Sequence, residues 1–85
     1  MADVMTTLRP LVGKVTTVPH DEITAERRFE DLGRWGSLAA VRLLSAVEQQ
    51  YGISLSLSAF MRIETVGELA DRIGGLLRVG GASGP

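Results

Sequence analysis

Ser37 is the residue best placed to do chemistry in this chain. It stands at the junction between the irregular stretch Phe29-Glu30-Asp31-Leu32-Gly33-Arg34-Trp35-Gly36 and an amphipathic run that begins at Leu38. The start of a helix offers backbone N–H groups without intrahelical acceptors and a partial positive charge, so a phosphate attached to a hydroxyl there is favoured. The simpler reading is that Ser37 only caps the helix, a role worth ~0.5–2 kcal/mol relative to alanine. Leu38, an apolar side chain off the helix's core arc and beside the serine, suits a contact patch around an attachment point. No other constellation competes. His20 lies in a loop with Asp21 and Glu22 and has no second ligand at metal spacing, and cysteine is absent.

Several elements must hold that serine in place. Val4, Met5, Leu8, Leu11, Val12 and Val15 recur at spacings of three and four, which predicts a first helix with Asp3 as its cap and a kink or a weak start at Pro10. Residues 16–36 carry no sustained period. Ile23, Phe29 and Leu32 are expected to pin this long loop to the core, with a short helical turn around Thr24 to Leu32. Leu38 to Tyr51 is the clearest helix. Ala40, Val41, Leu43, Leu44, Val47 and Tyr51 fall within one broad arc, with Arg42, Ser45 and Gln49 opposite and Gly52 as the stop. Ile53 to Leu57 reads as an extended connection whose Ile53, Leu55 and Leu57 enter the core, and Ser58 to Arg62 as one helical turn. Thr65-Val66-Gly67-Glu68 matches a capping box, and Val66, Leu69, Ala70, Ile73 and Leu77 then carry a helical period that Gly74 and Gly75 weaken. The sum is an all-α bundle of three longer helices and one short one with a long first loop.

Size and composition narrow the function. The chain has 85 residues, read as one domain over residues 1–79 and a flexible tail over 80–85. A core of that size yields only ~3–5 kcal/mol of net stability and leaves little room for a deep, water-excluding pocket, so an enzyme is not expected. The formal net charge is −1 with the signs interspersed, which gives no basic run for nucleic acid. A transmembrane span and a signal peptide are not expected either. The lack of cysteine fits a reducing compartment, read as the cytoplasm, and the protein is expected to be a monomer.

The ordered set Asp31-Leu32-Gly33, Ser37-Leu38, the helix from Ala39 to Glu48, Tyr51-Gly52-Ile53 and Thr65-Val66-Gly67-Glu68-Leu69-Ala70 resembles the acyl and peptidyl carrier proteins over roughly residues 4 to 77. The resemblance implies an acyl-carrier-protein-like four-helix bundle. It also implies that Ser37 receives 4′-phosphopantetheine through a phosphodiester, and that the thiol of that arm holds an acyl or aminoacyl group as a thioester. The implied partners are a phosphopantetheinyl transferase, a loading enzyme (adenylating or acyltransferase) and a downstream condensing or tailoring enzyme. Trp35, Gly36 and Leu38 would form part of the recognition patch, with Arg42 and Ser45 as contacts on the polar face of the second helix.

Two features depart from the family's pattern. Gly36 stands where the family usually has aspartate, and Gly33-Arg34-Trp35-Gly36 is one residue longer than the commonest spacing. Arg34, Ala39 and Arg42 surround Ser37 where acidic side chains are familiar in fatty-acid carriers, so partners of polyketide or nonribosomal peptide type secondary metabolism are expected. Trp35 either packs against the loop or touches the arm or a partner. Met61, beside Phe60, reads as core, with the lining of a small cargo pocket as its alternative. Two other functions stay open at this point. One is an unmodified carrier-like interaction or scaffold module, kept alive by Gly36. The other is a helix-turn-helix DNA binder, disfavoured by the lack of a basic face.

Overall fold

The computed structural model describes residues 4–33 and 35–83, with residues 79–83 described by their backbone alone. Among the described residues four α-helices form the fold: α1 (Val4–Thr16), α2 (Ser37–Tyr51), α3 (Leu57–Met61) and α4 (Val66–Ser83). Asp3, the expected cap of α1, lies outside the described residues, as does Arg34. α1 buries Leu8, Val12 and Thr16, one residue per helical turn on a single stripe. The buried Thr16 hydroxyl donates to the Val12 carbonyl at 2.7 Å, so it costs little to bury. Pro10 sits on the exposed side of this helix, which continues through it. Thr17 ends the helix at φ 61, a left-handed conformation uncommon for a β-branched residue.

The long loop is pinned as its apolar residues predict: Ile23, Phe29 and Leu32 are all buried in the common core. The short helical turn expected around Thr24 to Leu32 is present as the 3₁₀ turn Phe29–Asp31, and a second one, His20–Glu22, precedes it. Tyr51, at the end of α2, hydrogen-bonds Thr7 and donates to the Val4 carbonyl at 3.3 Å, which sets α2 antiparallel to α1. Gly52 ends α2 at φ 65, with its N–H donating to the Glu48 carbonyl at 2.9 Å, so glycine's freedom is needed there. The Glu48 carboxylate then accepts from the Leu55 N–H at 3.0 Å and ties down the connection that follows.

Three details of the core differ from the sequence reading. On α2 the buried set is Ala39, Ala40, Leu43 and Val47, while Val41 is 47% exposed. At 100° per residue Val41 lies roughly 145° from the middle of that set, beyond the real width of the apolar face. Leu57 does not enter the core; it opens α3 and is exposed, leaving Leu55 as the buried plug and Ile53 half-buried. Leu77 is also exposed, and among the residues of α4 whose side chains are described Ile73 is the last that is fully buried.

The start of α4 is closed by the loop. The N–H groups of Val66 and Gly67 donate to the carbonyls of Arg27 and Ala25 at 3.0 and 2.8 Å. The Glu68 N–H donates to the Thr65 hydroxyl at 3.1 Å, the cap read from the sequence, and that hydroxyl leans toward the Glu68 carboxylate at 3.4 Å. The close approach requires glycine at position 67, since a Cβ there would stand 2.9 Å from the Ala25 carbonyl oxygen and 3.0 Å from its Cβ. Gly67→Ala is therefore expected to destabilise the fold by about 1–3 kcal/mol despite the better helix propensity of alanine, read as a lower midpoint of thermal or urea unfolding. At its other end α4 continues as helix through Ser83, into the stretch assigned from sequence to a tail. Extension of a formed helix adds one hydrogen bond per residue, which offsets the poor propensity of Gly80 and Gly81. Gly84 and Pro85 lie outside the described residues.

Candidate functional site

Ser37 is the first residue of α2, and Gly36 rather than Ser37 occupies the cap position. The capping role considered from the sequence is thus not the one Ser37 plays. Its side chain is exposed, and among the described residues its hydroxyl makes no hydrogen bond. The Gly36 carbonyl accepts from the Ala40 N–H at 2.9 Å and opens the helical ladder. Among the described residues nothing accepts from the N–H groups of Ser37, Leu38 and Ala39. The contrast with α4 is direct. There the loop's carbonyls fill the helix start, whereas here the start of a 15-residue helix is left open beside a free hydroxyl. An anion on that hydroxyl gains ~0.3–1 kcal/mol from the helix dipole and meets donors that are otherwise left to water.

Gly36 itself is fully extended, at φ 179 and ψ −170, with nothing within 4 Å of where a Cβ would be. Any residue can adopt that conformation, so aspartate fits here without strain. Gly36→Asp is expected to stabilise the fold by a few tenths to about 1 kcal/mol, through a side-chain cap and a favourable charge at the helix start. A rise in the urea midpoint at unchanged slope would register it.

The other residues named from sequence separate into two groups. Leu38 is 65% exposed, and Ser45 is exposed on the same outward face. Val41, missed because it sits at the edge of the apolar arc, joins them between the two, at spacings of three and four residues. Ser37, Leu38, Val41 and Ser45 thus make one continuous strip along α2. Arg42 turns away from that strip, toward α1, where it lines a groove with Lys14 and Val15.

Trp35 is half-buried, and its ring stacks on Phe29 with centroids 4.7 Å apart. Phe29 in turn meets Phe60 of α3 at 6.4 Å. This aromatic chain fixes the loop immediately before Ser37 and contributes ~0.5–1.5 kcal/mol per pair beyond burial. The rest of the indole lines a cleft of about 190 Å³ with Met61, Ile63 and Arg28. Met61 is therefore not core, as expected from its neighbour Phe60, but 51% exposed at the mouth of this cleft. It is turned about 100° around α3 from the buried Phe60, a direction that a five-residue helix does not reveal by periodicity.

His20 is exposed, and among the described residues no group of His, Asp and Glu side chains has metal-binding geometry. No described helix is long and apolar enough to cross a membrane.

Comparison with known proteins agrees with this arrangement. The sequence model of the phosphopantetheine attachment site family matches residues 6–73. The chain is similar to part of the nonribosomal peptide synthetase tcpP of Claviceps purpurea, at 33% identity over 69 residues, which is 81% of this chain and 3% of that protein. It is also similar to an acyl carrier protein of Acidothermus cellulolyticus, at 25% identity over 71 residues and 84% of each chain. The family match spans most of the fold and encloses the open helix start, so the chain belongs to the phosphopantetheine attachment family: it is a carrier rather than a catalyst, and its cofactor is a covalently bound 4′-phosphopantetheine.

Proposed function

We propose that Ser37 is the residue that carries the arm, and that the chain is a monomeric, cytoplasmic carrier for polyketide or nonribosomal peptide type secondary metabolism. The observation that supports this best is the exposed, unpaired hydroxyl at the start of α2, which no loop or side chain closes among the described residues. When bound, the arm supplies a thiol that holds an acyl or aminoacyl group as a thioester. This chain's own contribution is to present that thiol. The open N–H groups of α2 neutralise the phosphodiester, the stacked Trp35 and Phe29 hold the preceding loop still, and Leu38, Val41 and Ser45 offer a strip for partner enzymes.

The similarity to a nonribosomal peptide synthetase and the basic, uncharged and apolar residues around Ser37 favour partners other than those of an acidic fatty-acid carrier. The partners proposed are a phosphopantetheinyl transferase, an adenylating or acyltransferase loading enzyme, and a condensing or tailoring enzyme downstream. Gly36 is not a structural obstacle to modification, because the helix starts in register without the aspartate. The scaffold reading and the carrier reading part on one experiment. Incubated with coenzyme A and a broad-specificity transferase, the protein is expected to gain the mass of one phosphopantetheinyl group. No gain with several such transferases would favour the unmodified scaffold.

A further inference from the structure

The groove between α1 and α2 borders the outward strip at Leu38, and apart from that residue it has no part in the role just described. Two clefts make it up, of about 300 and 460 Å³, and they share Lys14, Val15 and Arg42 in their walls. The first begins at Leu38, beside Ser37, and the second ends at Gln49 and Gln50. The floor is apolar, with Leu11, Val15 and Ala46. Among the described residues no acidic side chain lines either cleft. Among the described residues neither Lys14 nor Arg42 is in an ion pair, although the chain as a whole is slightly acidic, with net charge −1. Lys14 favourably complements the C-terminal dipole of α1, but that role does not account for a second cation on the facing helix.

We propose that this groove receives the cargo end of the arm, and that it is built for an acyl group ending in a carboxylate, the half-thioester of a dicarboxylic acid. The inference rests on Ser37 being the attachment residue. Reach is adequate. From Ser37 to Ala46 is nine residues of helix, or ~13.5 Å at 1.5 Å per residue. The arm has about thirteen bonds from phosphorus to sulfur and spans ~15 Å at ~3.5 Å per three bonds when extended. The acyl chain would then lie on Val15, Leu11 and Ala46, with its carboxylate between Lys14 and Arg42. A tethered group is present at an effective concentration on the order of millimolar, so a shallow, exposed site suffices to hold it. An acidic partner surface would also meet two cations, but it would not need an apolar-floored trench that begins at the attachment residue.

The test uses protein loaded through the transferase with glutaryl- or pentanoyl-coenzyme A, two acyl groups of equal chain length that differ in the terminal carboxylate. Intact mass first establishes loading; if neither group attaches, the carrier reading itself fails, and this inference with it. On loaded protein, amide chemical shifts are compared with those of the form bearing the unacylated arm. The expected result is that glutaryl loading shifts Leu11, Val15 and Ala46, that pentanoyl loading does not, and that Lys14→Gln with Arg42→Gln abolishes the glutaryl shifts. Both side chains are exposed, so this variant keeps the fold, and its unloaded spectrum checks that. Glutaryl shifts confined to residues beside Ser37, or unchanged in the double variant, would overturn the proposal while leaving the carrier reading intact.

Discussion

Ser37→Ala is expected to reduce attachment of the arm to zero while leaving the fold unchanged. The hydroxyl makes no hydrogen bond among the described residues, and the side chain is exposed at the first position of α2. Alanine is a good helix former and satisfies the same backbone, so the stability change should stay within about 0.5 kcal/mol. The chemical change is total because the proposed bond is made to the oxygen that the substitution removes. Intact mass after incubation with coenzyme A and transferase measures the first effect, and the far-ultraviolet spectrum with a urea midpoint measures the second. Ser45→Ala is the control. It removes a hydroxyl from the same face two turns along α2 and is expected to leave modification in place. Loss of modification in both variants, or in neither, would contradict the assignment.

The second large effect is on stability. Phe29 is buried and touches both Trp35 before the site and Phe60 on α3, so it joins the loop to the helices. Phe29→Ala is expected to cost about 3–5 kcal/mol. A core of this size supports only ~3–5 kcal/mol in all, so the variant should be largely unfolded at room temperature. Trp35 is the only tryptophan and reports it, through an emission spectrum shifted to that of an exposed indole. Phe29→Leu separates packing from stacking. It keeps most of the apolar volume and should remain folded, with Trp35 more mobile and the stability lower by roughly the ~0.5–1.5 kcal/mol of the aromatic pair. An alanine variant as stable as the parent would mean that the loop is held by something other than this side chain.

Much of this arrangement was legible in the residues. The helical periods, the stop at Gly52 and the cap at Thr65 are written in side-chain types, and they lie where the structure has them. The three widely spaced apolar residues of the loop also served, because a long segment with so few apolar side chains has to bury the ones it has. What escaped was mostly written in the backbone. The carbonyls of Ala25 and Arg27 close the start of α4, and only the smallness of Gly67 hints at it. Whether Ser37 or Gly36 occupies the cap depends on one residue of helix boundary, which composition does not fix. Val41 and Met61 show a related limit. An apolar residue at the edge of an arc, or on a helix of five residues, has no periodicity to say which way it faces. Ala39 is the converse, a small side chain that carries little hydrophobic signal yet is buried where α2 meets its neighbours. Arg42 was read as a contact on the polar face, but its place opposite Lys14 depends on how α1 and α2 pack, which no local pattern encodes.

Trypsin offers the most direct measurement of the central claim, for cleavage after Arg34 and Arg42 releases Trp35–Arg42, a peptide whose single hydroxyl side chain is Ser37. Applied to protein purified from the cell that makes it, mass analysis of the digest should find this peptide heavier by one phosphopantetheinyl group and the peptide that contains Ser45 at its unmodified mass. A bare Trp35–Arg42 peptide, with the added mass on another fragment or on none, would contradict the account.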